Sequence, residues 1–245
     1  MRNIRITRSV IPNLFTSLNM FSGFVSIIYS SQQSFALAAE FIVIGAVFDA
    51  LDGIMARLTK SSSEFGVELD SLSDLVSFGV APAFLIYQSY LHQYNAIGIV
   101  LSSLLMVFGG LRLARFNVQL VGFDKSYFTG LPIPSSAITI ASFVLVYYRD
   151  GAYDQNYAVY IIPLVIVLSL LMVSRIRYET LPKFSLKGIK ARPYSFGFVL
   201  FSLIALVVSG GKALFFIFIL MILIGIFRQA FSALFLKSKK TIVQQ

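Results

Sequence analysis

Six of the eleven acidic residues in this 245-residue chain lie between positions 49 and 74. Four of them form two pairs, Asp49 with Asp52 and Asp70 with Asp74. Residues three or four apart share one face of an α-helix, so each pair presents two carboxylates on the same side of its helix. Carboxylate oxygens are ligands that hard divalent cations take in proteins. The spacing therefore indicates a divalent metal site formed where two helices meet.

Small side chains and one arginine accompany the first acidic pair. Gly53 and Ala56 fall within about 50° of Asp49 around a helix axis, which leaves room on that face for a flat and bulky group. Arg57 adds a permanent positive charge that can hold a phosphate. These residues favour a substrate that has a phosphate group, a flat ring and a membrane-soluble part.

Carboxylates near a bilayer need a compensating interaction. Each costs about 2.5–3.5 kcal/mol at the centre of a membrane helix, and repulsion between neighbouring carboxylates adds to that cost. For a single Asp, contact with water at a helix end is the simpler explanation. Four carboxylates at two helical spacings, beside small residues and an arginine, favour a bound divalent metal that offsets both costs.

The acidic stretch also matches a longer sequence pattern. It follows D-x2-D-G-x2-A-R-x8-G-x3-D-x3-D without a gap, and eight elements at fixed spacing make this a specific signal. On this pattern the chain resembles the CDP-alcohol phosphatidyltransferases. The matched residues are Asp49, Asp52, Gly53, Ala56, Arg57, Gly66, Asp70 and Asp74.

The resemblance implies a metal-dependent transfer reaction. An alcohol hydroxyl attacks the lipid-side phosphate of a CDP-linked lipid, CDP-diacylglycerol, and displaces CMP. Asp49, Asp52 and Asp70 are expected to hold divalent metal, Mg²⁺ or Mn²⁺, as one or two ions. Asp74 is expected to share a second ion and is the candidate general base, because it is the carboxylate least committed to the first metal.

The first predicted helix supplies two further candidates for the CDP-lipid site. Asn13 and Thr16 are three residues apart and so share a helix face. Hydrogen bonding between helices explains them equally well, but the resemblance favours a nucleotide contact, because the first helix lies beside the motif in such enzymes. The expected CDP-lipid residues are Asn13, Thr16, Gly53, Ala56, Arg57 and Gly66.

A later region bears on the acceptor alcohol. The run R-L-A-R-F-N from Arg112 and the run G-L-P-I-P from Gly130 resemble the branch of the family that makes phosphatidylserine. Arg112 and Arg115 lie one helical turn apart and could hold the carboxylate of L-serine. Glycerol 3-phosphate suits the same pair, and inositol and choline are further alternatives as acceptor. Arginines at the edge of a membrane also serve as anchors, which is the alternative explanation for this pair.

The composition is typical of a membrane protein. The chain is 57% hydrophobic and 13% charged, with a mean hydropathy of +0.82, whereas soluble domains are about one quarter charged. The absence of cysteine excludes disulfides and thiol chemistry, and the single histidine, His92, excludes a histidine metal cluster. The net charge of +9 comes from basic residues between hydrophobic runs, which favours anionic lipid headgroups over nucleic acid as partners.

Hydrophobic runs predict an all-α, polytopic membrane helix bundle that forms one domain. We expect about eight transmembrane helices, with a six-helix family core and the active site over residues 11–173 and two extra helices over residues 194–236. Residues 1–10 interleave basic and apolar positions, which predicts an amphipathic segment on the membrane surface, without a signal-peptide pattern. The predicted helices cover residues 12–30, 35–59, 66–90, 96–116, 132–148, 157–173, 194–208 and 212–235.

Eight helices place both termini on one side of the membrane. That side would carry eighteen of the twenty lysine and arginine residues, against Arg149 and Lys212 on the other side. By the positive-inside rule, both termini, the acidic motif and the two arginines at 112 and 115 face the cytoplasm from the cytoplasmic (inner) membrane. The resemblance also implies a homodimer.

Two other classes of function remain open from the residues alone. A cation transporter would use intramembrane carboxylates, but it predicts acids near mid-helix in symmetric halves, whereas these lie near helix ends in one half. A non-catalytic membrane scaffold would tolerate the loss of the Asp74 carboxylate, whereas a transferase would not.

Overall fold

The computed structural model describes residues 10–59, 63–119, 127–179, 208–209 and 211–242. These residues form long helices joined by short turns, with four short strands among them. Apart from Val10, the predicted surface segment over residues 1–10 lies outside the described part, and so does most of the helix predicted over residues 194–208.

Two long helices begin the bundle, α1 (Val10–Ser31) and α2 (Phe35–Thr59), close to their predicted bounds. Helix α1 turns small and polar side chains such as Asn19 and Ser26 toward the bundle and exposes apolar ones such as Phe21. This arrangement is the reverse of a soluble helix. It suits a helix that faces lipid, because small inward residues let neighbouring helices approach closely.

The next membrane segment changes its helical geometry part-way along. Helix α3 (Glu64–Asp74) is followed by a π-helical turn (Leu75–Val80) and by α4 (Ala81–Ser89), and the three together form one span. Ser63 caps the start of α3 by accepting a hydrogen bond from the Gly66 N–H at 3.0 Å. The helix predicted over residues 66–90 is therefore present, but periodicity does not predict the π-helical turn inside it.

Helices α5 (Asn95–Gln119) and α6 (Ile133–Tyr147) also agree with prediction. The segment predicted as one helix over residues 157–173 is instead divided into α7 (Gln155–Ala158) and α8 (Ile161–Val173). Pro163 explains the division, because proline is accepted in the first turn of a helix and disfavoured in its interior.

Helix α9 (Ala213–Ile242) is the last described helix and runs beyond its predicted end at residue 235. It packs against α6 through aromatic contacts, with the rings of Phe215 and Phe143 centred 5.5 Å apart. The C-terminal part of the chain is thereby joined to the preceding bundle.

Four short strands complete the described fold: β1 (Tyr127–Thr129), β2 (Tyr148–Arg149), β3 (Ala152–Tyr153) and β4 (Arg177–Glu179). Strand β1 pairs antiparallel with β4, and β2 pairs antiparallel with β3 as a hairpin. The sequence analysis does not predict these strands. The all-α class is otherwise confirmed.

Four segments of the described chain are long and apolar enough to cross a membrane: Val10–Ser31, Glu64–Ser89, Leu91–Val118 and Gln155–Val173. Helix α6 and the apolar part of α9 are shorter. The chain is thus a multi-pass, helical membrane protein. The count of eight spans and the cytoplasmic position of both termini remain predictions.

Contacts between helices bring four helix ends together at one end of the bundle. Thr16 near the start of α1 bonds Asp52 near the end of α2. The Thr16 carbonyl accepts a hydrogen bond from Ser73 of α3, and Asn117 near the end of α5 donates to Ser71 of α3. This end of the bundle holds every residue that the sequence assigns to the site.

Candidate active site

Three carboxylates from two helices form the centre of the site. Asp49 of α2 and Asp70 and Asp74 of α3 each offer an oxygen, and these oxygens all lie within 4.8 Å of one another. The last half of α2 and the last half of α3 are therefore adjacent, so the two predicted Asp pairs lie close together. The two Asp pairs thus contribute carboxylates from two helices to one shared site.

Asp52 joins this acid cluster, the name used below for Asp49, Asp52, Asp70 and Asp74. Its Oδ2 accepts a hydrogen bond from the Thr16 hydroxyl at 2.9 Å, and its charge interacts with that of Asp70. Asp52 and Asp74 are only 7% and 9% exposed. Four carboxylates thus share a small and largely buried volume.

The chemistry of the acid cluster suits a divalent cation. Its donor set is entirely oxygen, which is what Mg²⁺, Mn²⁺ and Ca²⁺ take in proteins. Oδ1 of Asp70 is buried, and no described residue supplies a hydrogen bond to it. A bound cation would relieve the repulsion between neighbouring carboxylates. It would also give the buried Asp70 oxygen a partner.

Asn19 of α1 contacts the acid cluster and is absent from the sequence-based site. Its Nδ2 donates to Asp74 Oδ1 at 3.4 Å, and the residue is wholly buried. Its Oδ1 has no hydrogen-bond partner among the described residues and would lie 3.1 Å from a Cβ placed on Gly45. Asn19 therefore fills the space between α2 and Asp74. Its spacing of three residues from Thr16 is the signal that could have identified it.

Two serines of α3 and the following turn dock this segment onto α1. The Ser73 hydroxyl donates to the Thr16 carbonyl at 2.9 Å, and the Ser77 hydroxyl donates to the Asn19 carbonyl at 2.7 Å. The approach is closest at Gly23, where an added Cβ would lie 2.6 Å from the Ser77 Cα. These contacts fix the rotation of α3 and hence the direction of its carboxylates.

The residues expected at the CDP-lipid site lie around the acid cluster. Asn13 lies beside Gly66, because its Oδ1 would be 3.4 Å from a Cβ placed there. A Cβ on Gly53 would meet only the guanidinium of Arg57, at 3.8 Å, so this face is open. Ala56 is half-buried on the same helix. Thr16 already bonds Asp52, so its hydroxyl orients a carboxylate of the cluster.

The two arginines of α5 have different surroundings. Arg112 is 6% exposed, and its charge interacts with that of Asp74. Arg115 donates to the carbonyls of Thr129 at 2.9 Å and Val173 at 3.0 Å. Arg115 therefore ties the last turn of α8 and the end of β1 to α5, while Arg112 lies beside the acid cluster.

Comparison with known proteins assigns the family of this site. The family model described as CDP-alcohol phosphatidyltransferase matches residues 9–173, which include both halves of the acidic motif. The chain belongs to the CDP-alcohol phosphatidyltransferase family. The predicted resemblance and enzyme class are thereby confirmed.

Curated relatives of this CDP-alcohol phosphatidyltransferase include one bacterial and two archaeal enzymes. CDP-diacylglycerol--serine O-phosphatidyltransferase of Helicobacter pylori is 39% identical over 172 residues, which cover 70% of this chain and 73% of the relative. Archaetidylserine synthase of Methanothermobacter thermautotrophicus is 42% identical over 181 residues, 73% of each chain. CDP-diacylglycerol--serine O-phosphatidyltransferase of Methanocaldococcus jannaschii is 38% identical over 172 residues, 70% of this chain and 75% of the relative.

The family match ends at the residue where α8 ends. It therefore includes α1 to α8 and the acid cluster, and it excludes α9. The candidate site is therefore contained in the matched part of the chain.

Proposed function

We propose that this enzyme transfers the phosphatidyl group of CDP-diacylglycerol to the hydroxyl of L-serine, giving phosphatidylserine and CMP. The observation that carries the proposal is the acid cluster, which the family motif assembles from α2 and α3 at one end of the bundle. The choice of serine is supported by the names of three relatives that match across at least 70% of this chain.

Asp49, Asp52, Asp70 and Asp74 would hold one or two divalent ions, Mg²⁺ or Mn²⁺. When bound, such an ion supplies positive charge that polarises the phosphate and stabilises the charge developing on its oxygens. The all-oxygen donor set and the burial of the carboxylates support this assignment. Their positions on two docked helices hold them in place before the substrate arrives.

The CDP-lipid would lie along α1 and the end of α2. Gly53 and Ala56 leave space for the cytosine ring, and Arg57 beside them would bind a phosphate. Asn13 and Gly66 lie together where α1 meets the start of α3, and we assign them with Thr16 to the nucleotide end of the site. The diacylglycerol part would extend into the bilayer beside the apolar faces of these helices.

Asp74 would act as the general base. Its buried carboxylate is oriented by Asn19, and it would accept the proton of the serine hydroxyl. The serine oxygen then forms a bond to the lipid-side phosphorus, and the bond from that phosphorus to the CMP oxygen breaks. Exclusion of water from this buried site favours transfer to serine over hydrolysis.

Arg112 would bind the carboxylate of serine, because it lies beside Asp74 and is almost fully buried. Arg115, the second arginine predicted for the acceptor, would complete the acceptor site through its hold on α8 and β1. The same pair suits glycerol 3-phosphate by charge, so the acceptor must be tested directly.

An acceptor comparison tests the proposal. Purified protein in detergent micelles would receive CDP-diacylglycerol and Mn²⁺ with L-serine, glycerol 3-phosphate, inositol or choline, and CMP release would be measured. We expect turnover with serine alone. Turnover with another alcohol and none with serine would overturn the acceptor assignment, whereas no CMP release with any alcohol would overturn the transfer itself.

We further propose a single membrane domain of eight spans in the cytoplasmic membrane, with both termini and the acid cluster on the cytoplasmic side. The basic residues at the acid-cluster end support this orientation. Single cysteines replacing Glu64 and Gln155 can be labelled with an impermeant maleimide in intact spheroplasts. Gln155→Cys should react and Glu64→Cys should not, and the opposite result would reverse the orientation.

The family also suggests a homodimer. Mass photometry of the purified enzyme in nanodiscs should give twice the mass of the 27.2 kDa chain after the lipid contribution is subtracted. A monomeric mass with full activity would contradict it.

A further inference from the structure

A cavity of about 590 Å³ lies where α6 ends, between the hairpin of β2 and β3 and the start of α7. Helix α6 begins next to β1, which Arg115 contacts, and its fifteen residues extend about 22 Å at 1.5 Å per residue. The cavity is therefore at the opposite end of the bundle from the acid cluster. It takes no part in the transfer reaction.

Charges of both signs line this cavity. Arg149, Asp150 and Asp154 are its charged residues, and all three are exposed. Arg149 donates through Nε to the Val146 carbonyl at 3.2 Å, and Asp154 accepts from the Asn156 N–H at 2.9 Å. Within the described part of the chain no salt bridge joins Arg149 to either carboxylate. Both signs of charge thus remain available to a ligand that itself carries both.

The backbone that presents these charges is held in place. Asp150 and Gly151 have φ of +53° and +85°, as in a two-residue type I′ turn, and the Tyr148 hydroxyl donates to the Gly151 carbonyl at 2.9 Å. Asp154 caps the start of α7. The backbone that carries Asp150 and Asp154 is therefore ordered before a ligand binds, which lowers the entropy lost on association.

Three tyrosines, with Val146 and Ala152, complete the cavity wall. The rings of Tyr147 and Tyr157 are centred 4.4 Å apart, and Tyr153 is anchored by its hydroxyl, which donates to Ser89 at 3.0 Å. Burial raises the pKa of Tyr153 above its ordinary range, so this hydroxyl stays neutral. Tyrosine faces attract ammonium groups through their quadrupole.

Exposed apolar residues adjoin the cavity in the sequence. Val159 and Tyr160, immediately before α8, are 63% and 60% exposed. They stand at the end of an apolar helix that crosses the membrane, which is where lipid headgroups and acyl chains meet. A ligand at this position can place a polar group in the cavity and an apolar chain along α8.

We propose that this cavity binds the headgroup of a phospholipid that carries a primary ammonium group, in the leaflet opposite to the acid cluster. Arg149 binds the phosphate, and Asp150 and Asp154 bind the ammonium group beside the rings of Tyr147 and Tyr157. The inference depends on the position of the cavity in the membrane and not on the identity of the acceptor alcohol.

Native mass spectrometry of the full-length protein tests this site. Delipidated enzyme would be incubated with vesicles of phosphatidylethanolamine, phosphatidylcholine or phosphatidylglycerol, and the bound lipid would be counted. We expect about tenfold tighter retention of phosphatidylethanolamine than of phosphatidylglycerol, which lacks the ammonium group, since one charge-assisted hydrogen bond is worth about a factor of ten. Retention of phosphatidylcholine, which has no N–H donor on its headgroup, should also be weaker.

Three substitutions remove the charges without removing the fold. Arg149→Gln should lower phosphatidylethanolamine retention about tenfold, and so should the double change Asp150→Asn and Asp154→Asn. Asparagine tolerates positive φ and caps helices, so the turn and α7 persist in the double variant. Lys212→Gln removes a charge near the start of α9, outside the cavity lining, and is the matched control. CMP release should be unchanged in all of these variants, which shows that they are folded.

Equal retention of the three lipids would overturn the proposal, because it would show that interfacial tyrosines contact lipids without selecting a headgroup. Retention unchanged by Arg149→Gln and by the double variant would also overturn it. Retention of free phosphoethanolamine as tight as that of phosphatidylethanolamine would show a soluble ligand instead of a lipid. Absence of CMP release from the unsubstituted enzyme, with lipid retention intact, would count against the proposed function. It would leave the lipid site unaffected.

Discussion

Asp74 lies where three kinds of side chain meet. It is within reach of the carboxylates of Asp49 and Asp70, it accepts a hydrogen bond from Asn19, and its charge interacts with that of Arg112. An amide donor orients the carboxylate, and an arginine nearby offers a place for an anionic group of the acceptor. This position is suited to a group that takes a proton from the acceptor while its neighbours hold a cation.

Replacing Asp74 tests its role as the base. We expect Asp74→Asn to lower the rate of CMP release by about 10²–10⁴-fold, because the amide keeps the shape of the side chain but cannot accept the proton. Binding of CDP-diacylglycerol in micelles should persist. Glu68→Gln, which removes an exposed carboxylate from the same helix, is the control and should retain activity. Normal turnover in Asp74→Asn would exclude this residue as the base.

Asn19 is predicted to act by positioning Asp74. We expect Asn19→Ala to lower kcat by about 10–100-fold with little change in the KM for CDP-diacylglycerol, because a hydrogen bond to a charged group is lost. Ser26→Ala is the matched control, since Ser26 is also buried on α1 and its hydroxyl has no hydrogen-bond partner among the described residues. Similar kinetics for the two variants would show that Asn19 serves packing alone.

We expect Arg112 and Arg115 to affect different measured quantities, namely the KM for serine and the free energy of unfolding. Arg112→Gln is expected to raise the KM for serine about tenfold or more, because a carboxylate loses its charged partner. Arg115→Gln is expected to lower the free energy of unfolding by about 1–3 kcal/mol, because backbone carbonyls lose their donors. Initial rates against serine concentration and thermal unfolding measure the two effects. A raised KM with unchanged stability for both variants would return Arg115 to direct acceptor contact.

At the scale of residues, spacing alone predicts the acid cluster but not its hydrogen-bond partners. Carboxylates three and four residues apart must share a helix face, so the four Asp residues could be assigned without a structure. Asn19 and Asn117 were not predicted as site contacts because an amide in an apolar helix has many partners open to it. The partner that the amide bonds depends on the rotation of the helices about their axes. Residues distant in the sequence, such as Ser77, fix that rotation.

At the scale of elements, the packing of α1 on α3 sets the geometry of the site. Gly23 lets α1 approach the π-helical turn that follows α3 until an added Cβ would overlap the Ser77 backbone. The π-helical turn begins directly after Asp74, and such turns often occur at functional sites because they change the direction of the helix around them. Close packing and the turn together aim Asp70 and Asp74 toward α2.

Adding one methyl group to α1 tests this packing. We expect Gly23→Ala to lower the free energy of unfolding by about 1–3 kcal/mol and to reduce CMP release, because a backbone atom of the π-helical turn must move. Gly110→Ala is the matched control, since its Cβ would lie at an ordinary 3.6 Å from Leu75. Unfolding in detergent and initial rates measure both. Equal behaviour of the two variants would contradict a tight contact at Gly23.

Hydrophobic runs predict most helix bounds well because length and apolar content define a membrane helix. They do not predict the π-helical turn, since its residues are as apolar as those of an α-helix. Tertiary contacts form strands β1 and β4, which pair residues as far apart in the sequence as Tyr127 and Glu179. Local sequence carries no signal for such a pairing.

At the scale of the whole molecule, the bundle places polar groups inside and apolar groups outside. Buried side chains of α1 are mostly small or polar, while Leu14, Phe21 and Phe24 are more than half exposed. In lipid this arrangement is favourable, because the apolar surface meets acyl chains and the polar interior can hold ions and a nucleotide. Composition predicts the membrane class, and the contacts between helices show which end of the bundle holds the site.

Anomalous scattering from Mn²⁺ in crystals of the full-length enzyme with CDP-diacylglycerol is the most direct measurement of the acid cluster. We predict one or two peaks bounded by the carboxylates of Asp49, Asp70 and Asp74, with the pyrophosphate of the donor against them. Crystals of Asp70→Asn should lose the peaks or show them weakened. A fully active enzyme with no peak among these carboxylates would contradict the account.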